Sequence, residues 1–288
     1  MKHLPRNDID ALDLGQSGDS VSLELLDGRI VVSKKSMTSE SRLYQQYLKQ
    51  VEFDHMSDFI VPRVCKPWDG SGFCMEYVSG KPLGQVLGNA SITEVESISK
   101  MIAVYLQNLI ASSVRSIDPI DSNLAFKSKV KSMREALSSS RYELVQKALT
   151  ILDLESIRVP QLIGPNHGDF SFENVLINQN SGEAWLVDFL DSPIETPLID
   201  ISRVLIDMEH GWWGSGLYPS ASEKLSGIYM ADVLRSTCYN NGIDPLEISF
   251  FKLFTAVRLV PYTKNPLRMS ILIDLISQEL KHLSRWLR

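Results

Sequence analysis

The sequence predicts an α+β protein of two lobes, a small β-rich N-lobe with one main helix and a larger, mostly helical C-lobe. The chain has 288 residues, of which 44% are hydrophobic and 22% charged, a length that suits about two units with a core each. The first 80 residues are rich in β-prone segments, whereas the rest carries apolar stripes at helical spacing. This change predicts lobes of residues 1–79 and 80–288.

A β-hairpin opens the predicted N-lobe. Val21, Leu23 and Leu25 alternate with their neighbours, and Asp27-Gly28 then supplies a turn before a second β-prone run. The other elements predicted in this lobe are a helix over residues 40–49 and strands over residues 59–64 and 73–78.

The predicted helix over residues 40–49 has one apolar stripe, which we expect to face the sheet. The stripe consists of Leu43, Tyr44, Tyr47 and Leu48. The polar residues of this helix that we expect to face solvent are Arg42, Gln45, Gln46 and Lys49.

The predicted C-lobe begins with a long helix. Ser91 and Glu94 form a capping box, and an apolar stripe continues from there to Ile110. The later predicted elements are a helical region over residues 124–154, two short strands over 174–177 and 184–189, and helices from residue 199 to the C-terminus.

Charge and cysteine content exclude several classes of protein. With 29 Lys and Arg against 35 Asp and Glu, the chain lacks the basic surface that nucleic acids or anionic membranes require. Its three cysteines are far apart and contain no Cys-x-x-Cys pair, which favours a reducing, cytoplasmic setting. We expect neither a secretory signal nor a membrane span, because no long apolar run occurs.

The segment most informative about chemistry runs from His167-Gly168-Asp169 to Asn174, with Asp188 following at the end of a strand. Phosphoryl transfer from ATP requires a carboxylate near the attacking hydroxyl and oxygen ligands for Mg²⁺. Two carboxylates and an amide suit a hard cation that retains several waters. Asn174 follows Asp169 by five residues and Asp188 follows Asn174 by 14, a spacing that matches the metal-binding and catalytic residues of protein kinases.

At these positions the chain resembles the aminoglycoside phosphotransferase and choline kinase family, which has a bilobal protein-kinase-like fold. The likeness extends from Gly15 to Tyr262 and is sharpest between His167 and Arg203. It implies that Asp169 is the catalytic base, that Asn174 and Asp188 bind Mg²⁺, and that His167 braces the catalytic loop. The same resemblance makes Asp200 the buried acid that holds the backbone of that loop, although a first-turn acid at a helix N-terminus is the alternative.

Phosphate contacts are expected from the N-lobe. The loop Gly15–Ser20 resembles the nucleotide-covering loop of the family, with backbone groups at Ser17 and Gly18 near the phosphates, although an ordinary hairpin turn would look alike. The cation that positions the phosphates should be Lys34 or Lys35, which alternate on a strand, and we favour Lys34.

Two further N-lobe positions complete the expected ATP site. Glu40 is the acid nearest the start of the following helix and is the expected partner of the lysine, unless it is a solvated first-turn acid. The backbone from Glu76 to Val78 resembles the hinge that hydrogen-bonds adenine, but it could equally be a buried strand with a turn.

The acceptor is predicted to be a small-molecule alcohol. Asp188 and Asp200 are only 12 residues apart, which leaves no room for an activation segment that would dock a peptide. Within this span, Asp191 either assists the metal or substrate or caps a turn.

Five residues beyond Asp200 in the sequence are candidates for the wall of the acceptor pocket: Asp207, Glu209, His210, Trp212 and Trp213. Acids would suit an ammonium group, and tryptophan faces suit cations or sugar rings, although the tryptophans could instead pack onto the core. Aminoglycosides, choline, sugars and amino-alcohols all remain open.

The sequence contains no nucleophile elbow, P-loop, zinc motif or dinucleotide-binding fingerprint. The main alternative is a kinase-like scaffold that binds nucleotide without turnover. The presence of Asp169, Asn174 and Asp188 together favours the enzyme.

Overall fold

The computed structural model describes residues 19–37, 40–53, 59–119, 124–138, 142–153, 160–192, 194–211 and 220–286. These residues form two compact units, the first drawn from Met1–Leu83 and Asn174–Asp191, the second from Gly84–Glu173 and Ser192–Arg288. The elements are β1 Ser20–Leu26, β2 Arg29–Lys35, α1 Glu40–Phe53, β3 Val64–Lys66, β4 Gly72–Glu76, β5 Lys81–Pro82, α2 Leu83–Leu87, α3 Ile92–Ala111, β6 Val114–Pro119, α4 Leu124–Ala136, α5 Glu143–Leu152, β7 Pro160–Ile163, β8 Val175–Ile177, β9 Ala184–Leu186, α6 Pro197–His210, α7 Ala221–Asn240, α8 Pro245–Leu259, a 3-10 turn Val260–Tyr262, and α9 Pro266–Trp286. The predicted α+β class is confirmed.

The first unit contains an antiparallel sheet in the order β1-β2-β4-β3. Its first hairpin turns at Asp27 and Gly28, whose φ angles of 49° and 76° are the left-handed values of a tight two-residue turn. The turn and its flanking strands form where the sequence predicted them.

The face that α1 buries differs from the sequence prediction. Leu43 packs against Phe73 and Met75 of β4 as expected, but Gln46 and Lys49 are buried as well. Buried polar groups require partners, and the ammonium of Lys49 donates to the carbonyl of Leu190 at 3.1 Å. The expectation that Gln46 and Lys49 face solvent was therefore wrong. For Lys49, the hydrogen bond to the carbonyl of Leu190 explains how a polar group is tolerated on this face.

A close approach between β2 and β4 requires glycine at position 72. A Cβ atom on Gly72 would lie 2.2 Å from the backbone oxygen of Lys34, well inside van der Waals contact. The register pairs Lys34 with Phe73, so the position of Lys34 depends directly on this contact between the strands.

A second sheet, β5-β8-β9, places the hairpin of residues 174–191 in the first unit. The amide of Leu186 donates to the carbonyl of Ile60, and the amide of Ile60 donates to Ala184, both at 2.9 Å. The predicted boundary assigned this hairpin to the lobe of residues 80–288. The predicted lobes and the observed units divide the chain differently because β5 pairs with β8, about a hundred residues later in the sequence. Local sequence patterns do not show such a pairing.

The second unit is mostly helical, and its helices begin at clear capping residues. Ser91 forms the predicted capping box with Glu94 at the start of α3, and Ser220 and Asp244 cap α7 and α8 in the same way. The region predicted as helical over residues 124–154 consists of α4 and α5. Among the described helices, none has both the length and the apolar run that crossing a membrane requires.

Helix α6 lies at the centre of this unit. All residues from Pro197 to Met208 are buried. Thr196 accepts a hydrogen bond at its N-terminus, and Gly211 ends it with a left-handed φ of 60°. Because α6 is enclosed along most of its length, charged residues on it must pair with other groups inside the protein.

Candidate active site

Asp200, in the first turn of α6, holds the backbone of the segment from His167 to Asp169. Its two carboxylate oxygens accept the amide of His167 at 2.6 Å and the amide of Gly168 at 2.9 Å. Gly168 has a φ of 91°, a left-handed conformation that favours glycine. Asp200 therefore holds the backbone of this segment in place, and that the segment is a catalytic loop stays a prediction.

The buried charge of Asp200 is stabilised by its surroundings. The side chain is fully buried, and its position in the first turn of α6 adds the favourable field of the helix N-terminus. Burial, together with the nearby charge of Asp200, raises the pKa of Tyr105 well above its ordinary value. The two backbone amides provide hydrogen-bond compensation that a buried carboxylate requires.

Asp200→Asn is expected to destabilise the second unit by roughly 2–4 kcal/mol, because an amide nitrogen would face a backbone N–H and leave buried donors unpaired. Chemical denaturation compared with wild type measures the change. Asp232→Asn is the matched control, since Asp232 is exposed on α7. If Asp200→Asn lowers the free energy of unfolding no more than the control does, Asp200 does not stabilise the unit by holding this backbone.

His167 is fully buried beneath the loop. Its Nδ1 atom accepts the amide of Asp169 at 3.3 Å, and its ring lies edge-on to Phe170 with centroids 6.5 Å apart. Phe170 in turn packs against Tyr105 with ring centroids 4.6 Å apart. These contacts give His167 a supporting position and leave Asp169 partly accessible.

Two arginines contact the loop at Asp169. The carboxylate of Asp169, 24% exposed, accepts from Nε of Arg203 at 3.0 Å. Arg258 on α8 donates to the carbonyl of Gly168 at 3.2 Å, and its guanidinium lies 4.0 Å from the same Asp169 oxygen. The sequence predicted no role for either arginine. Arg203 lies one helical turn after Asp200, a spacing that could have indicated it, whereas Arg258 is 90 residues from Gly168.

Asp207 has a different environment from the one expected. It is fully buried, accepts the amide of Phe172 at 2.7 Å, and forms an ion pair with Arg203. Burial raises the pKa of Asp207 to about 6, against the opposing influence of Arg203. Asp207 therefore ties α6 to the loop and offers no exposed surface to a ligand.

Glu209 is also paired within the unit. Its carboxylate accepts from Lys252 at 2.6 Å and from Nε of Arg235 at 2.8 Å. Burial alone would raise the pKa of Glu209, but these two cations hold it below its ordinary value. Trp212 and Trp213, two further predicted pocket residues, lie outside the described residues.

In the first unit, Lys34 and Asp188 form an ion pair. The ammonium of Lys34 lies 2.8 Å from Oδ1 of Asp188; the lysine side chain is 6% exposed and the aspartate 47%. Asp188 has a φ of 64°, which is uncommon for a residue other than glycine, although Asp adopts it more readily than most residues. Lys35 points elsewhere and pairs with Glu24 in an exposed contact at 2.9 Å.

The β8–β9 hairpin brings Asn174 next to Asp188. Val175 pairs with Leu186, and the amide of Val187 donates to the carbonyl of Asn174 at 3.0 Å. Asn174 therefore lies opposite Val187, the residue that precedes Asp188. No group of three His, Cys, Asp or Glu side chains able to hold a metal occurs among the residues that the structure describes.

The remaining N-lobe candidates are more scattered. Glu40 is exposed at the first position of α1, while the described partner of Lys34 is Asp188, so the expected ion pair between Lys34 and Glu40 is not formed. Asp191 is exposed directly after the Asp188 segment. Ser17 and Gly18 lie outside the described residues.

The predicted hinge follows the end of β4. The amide of Glu76 donates to the carbonyl of Arg63 at 2.9 Å, so this amide is already engaged. Val78 lies beyond the strand in an irregular segment of intermediate burial. Adenine recognition by the backbone of residues 76–78 stays a prediction.

Solved structures share this architecture over nearly the whole chain. A protein from Ralstonia eutropha described as a putative aminoglycoside phosphotransferase aligns with a TM-score of 0.61 and 11% identity, covering 93% of this chain and 91% of its own. The chain has the aminoglycoside phosphotransferase fold. A thermostable mutant of aminoglycoside phosphotransferase APH(4)-Ia aligns with a TM-score of 0.58 and 12% identity over 94% of both chains.

Another protein with this fold is a glucosamine kinase in complex with glucosamine, ADP and inorganic phosphate. It aligns with a TM-score of 0.54 and 13% identity, covering 95% of this chain and 83% of its own. No protein-family model and no curated protein matches the sequence. The phosphotransferase fold is thus recognised through structure, and the activity has to be argued from the residues.

Proposed function

We propose that the protein is an ATP- and Mg²⁺-dependent phosphotransferase that phosphorylates a hydroxyl group of a small molecule. The observation that carries the proposal is the pairing of Lys34 with Asp188, next to Asn174 across the hairpin. Asp169 precedes Asn174 by five residues on the loop held by Asp200. A fold shared with small-molecule kinases supports the same reaction class.

Lys34 is the proposed phosphate-positioning cation. An ammonium has three N–H donors, and the described residues engage one of them, through Asp188. The others are available for phosphate oxygens. The exposed pair of Lys35 with Glu24 supports the choice of Lys34 over its neighbour.

Asn174 and Asp188 are the proposed Mg²⁺ ligands. One carboxylate and one amide fit Mg²⁺, which commonly takes one or two protein ligands together with waters and substrate phosphates. When bound, the ion would neutralise charge on the phosphates.

Asp169 is the proposed catalytic base. Arg203 holds one of its carboxylate oxygens, and the Asp200 and His167 contacts fix the backbone on which Asp169 lies. In the proposed reaction the carboxylate orients the acceptor hydroxyl and accepts its proton as the phosphoryl group is transferred. Most of the rate acceleration would come from this positioning and from charge neutralisation.

A panel of acceptors tests the proposal. Purified protein is incubated with ATP and Mg²⁺, and ADP release is measured with aminoglycosides, choline, amino acids, sugars and sugar acids. We expect acceptor-dependent release that EDTA abolishes. Nucleotide binding without transfer to any acceptor would instead favour the nucleotide-binding scaffold, and no nucleotide binding would contradict both.

A further inference from the structure

Arg258 is a partly buried cation with unused hydrogen-bonding capacity beside Asp169. Its side chain is 13% exposed, and within the described part of the chain its guanidinium makes one hydrogen bond, to the carbonyl of Gly168 at 3.2 Å. A guanidinium has five N–H donors in a planar fork that suits carboxylate and phosphate groups. Arg258 is therefore able to bind a further acceptor group.

The neighbouring charges leave Arg258 incompletely compensated. Arg203 is shared between Asp169 and Asp207, and Asp200 is engaged by backbone amides. The nearest described carboxylate to Arg258 is Asp169, at 4.0 Å, which is beyond hydrogen-bond distance. Burial lowers the pKa of Arg258 despite the attraction of Asp169. A partly buried cation in such surroundings favours an anionic ligand.

The acids that were candidates for binding an ammonium group are neutralised internally. Asp207 pairs with Arg203 and has no exposed surface. Glu209 pairs with Lys252 and Arg235. Binding a cationic acceptor at either acid would require breaking an ion pair within the unit, whereas Arg258 has N–H donors that no described residue accepts.

We propose that Arg258 binds an anionic group of the acceptor, so that the substrate is an alcohol bearing a carboxylate or a phosphate. This inference rests on the proposed function, since it assigns the acceptor that Asp169 activates. A kinase that binds a cationic acceptor needs a free acid near the base, whereas here Asp207 and Glu209 are paired with cations of the same unit. Arg258 is then a residue that determines specificity, next to the base.

The first test detects the anion site without requiring turnover. Crystals of the full chain are soaked in selenate, a divalent tetrahedral anion whose selenium can be located by anomalous scattering. We expect selenate at the Arg258 guanidinium in the wild type and none there in Arg258→Gln, which keeps a donor for the Gly168 carbonyl. No selenate at Arg258 in the wild type overturns the proposal.

The second test measures acceptor selection. Phosphoryl transfer is measured with two pairs of anionic and neutral acceptors, glycerate with glycerol and gluconate with glucose. Glucosamine serves as the cationic acceptor. We expect the anionic members to be preferred, and Arg258→Gln to lower that preference about 10- to 100-fold, the usual worth of a charge-assisted hydrogen bond. Arg258→Lys should restore part of it.

Arg268→Gln is the matched control, because Arg268 lies 3.8 Å from Glu173 of the same loop. The control should keep the preference for anions. Preference for glucosamine, or an equal loss by Arg258→Gln for every acceptor, overturns the proposal. Selenate binding with no effect on acceptor selection means an adventitious ion only and overturns it too. If no acceptor reacts, the proposed function fails, and the selenate density alone decides whether Arg258 binds anions.

Discussion

Replacing Asp169 by Asn is expected to lower the rate of phosphoryl transfer about 10²- to 10⁴-fold, the usual contribution of a general base. The amide cannot accept the proton of the acceptor, but its oxygen can still accept the hydrogen bond from Nε of Arg203. The fold and the nucleotide-binding residues of the first unit should therefore be retained. Single-turnover rates and nucleotide affinity are measured separately.

Asp232→Asn on the exposed face of α7 is the control for this change. It should leave both the transfer rate and the nucleotide affinity near wild type. Transfer at the wild-type rate by Asp169→Asn would show that the base is another group.

Replacing Lys34 by Ala is expected to lower transfer about 10²- to 10³-fold, the effect of losing a charge-stabilising donor in an active site. The change also removes one partner of Asp188, whose side chain is 47% exposed and can be solvated by water. Folding should therefore be affected less than nucleotide binding. Isothermal titration with Mg²⁺ and a non-hydrolysable ATP analogue measures the second effect.

Lys35→Ala provides a matched comparison at the adjacent residue. Lys35 lies in an exposed ion pair with Glu24, whose contribution is expected to be small. If the two alanine variants lose affinity equally, or if Lys35→Ala loses more, the assignment of Lys34 is contradicted.

Much of the local structure could be predicted from the sequence, because local chemistry determines it. The Asp27-Gly28 turn has the left-handed φ angles that its residues favour, and Ser91 with Glu94 begins α3. The spacing of Asp169 and Asn174 likewise predicted the fold that the chain shares with solved phosphotransferase structures.

Other features depend on contacts between distant parts of the chain. The buried face of α1 includes Lys49 because the carbonyl of Leu190, 141 residues away, accepts its hydrogen bond. The pairing of β6 with β7 was missed, since it joins two short segments that are far apart in sequence and each contains proline. Hydrophobic periodicity cannot detect either feature.

The environment of Asp169 also depends on contacts between residues that are distant in the sequence. Their positions in the sequence suggested that Asp207 and Glu209 contact a ligand. In the structure Asp207 pairs with Arg203 of α6, and Glu209 pairs with cations of α7 and α8. Arg258 is 90 residues from the loop that it contacts. Whether a charged residue is neutralised or available depends on tertiary packing, which the sequence alone did not provide.

A crystal grown with Mn²⁺ and a non-hydrolysable ATP analogue tests the central claim most directly. Mn²⁺ replaces Mg²⁺ at oxygen sites and can be located by anomalous scattering. The proposed function predicts a manganese peak bound by the side-chain oxygens of Asn174 and Asp188, with Lys34 on a phosphate. A peak bound by other residues, with Asn174 and Asp188 directed away from the ion, would contradict it.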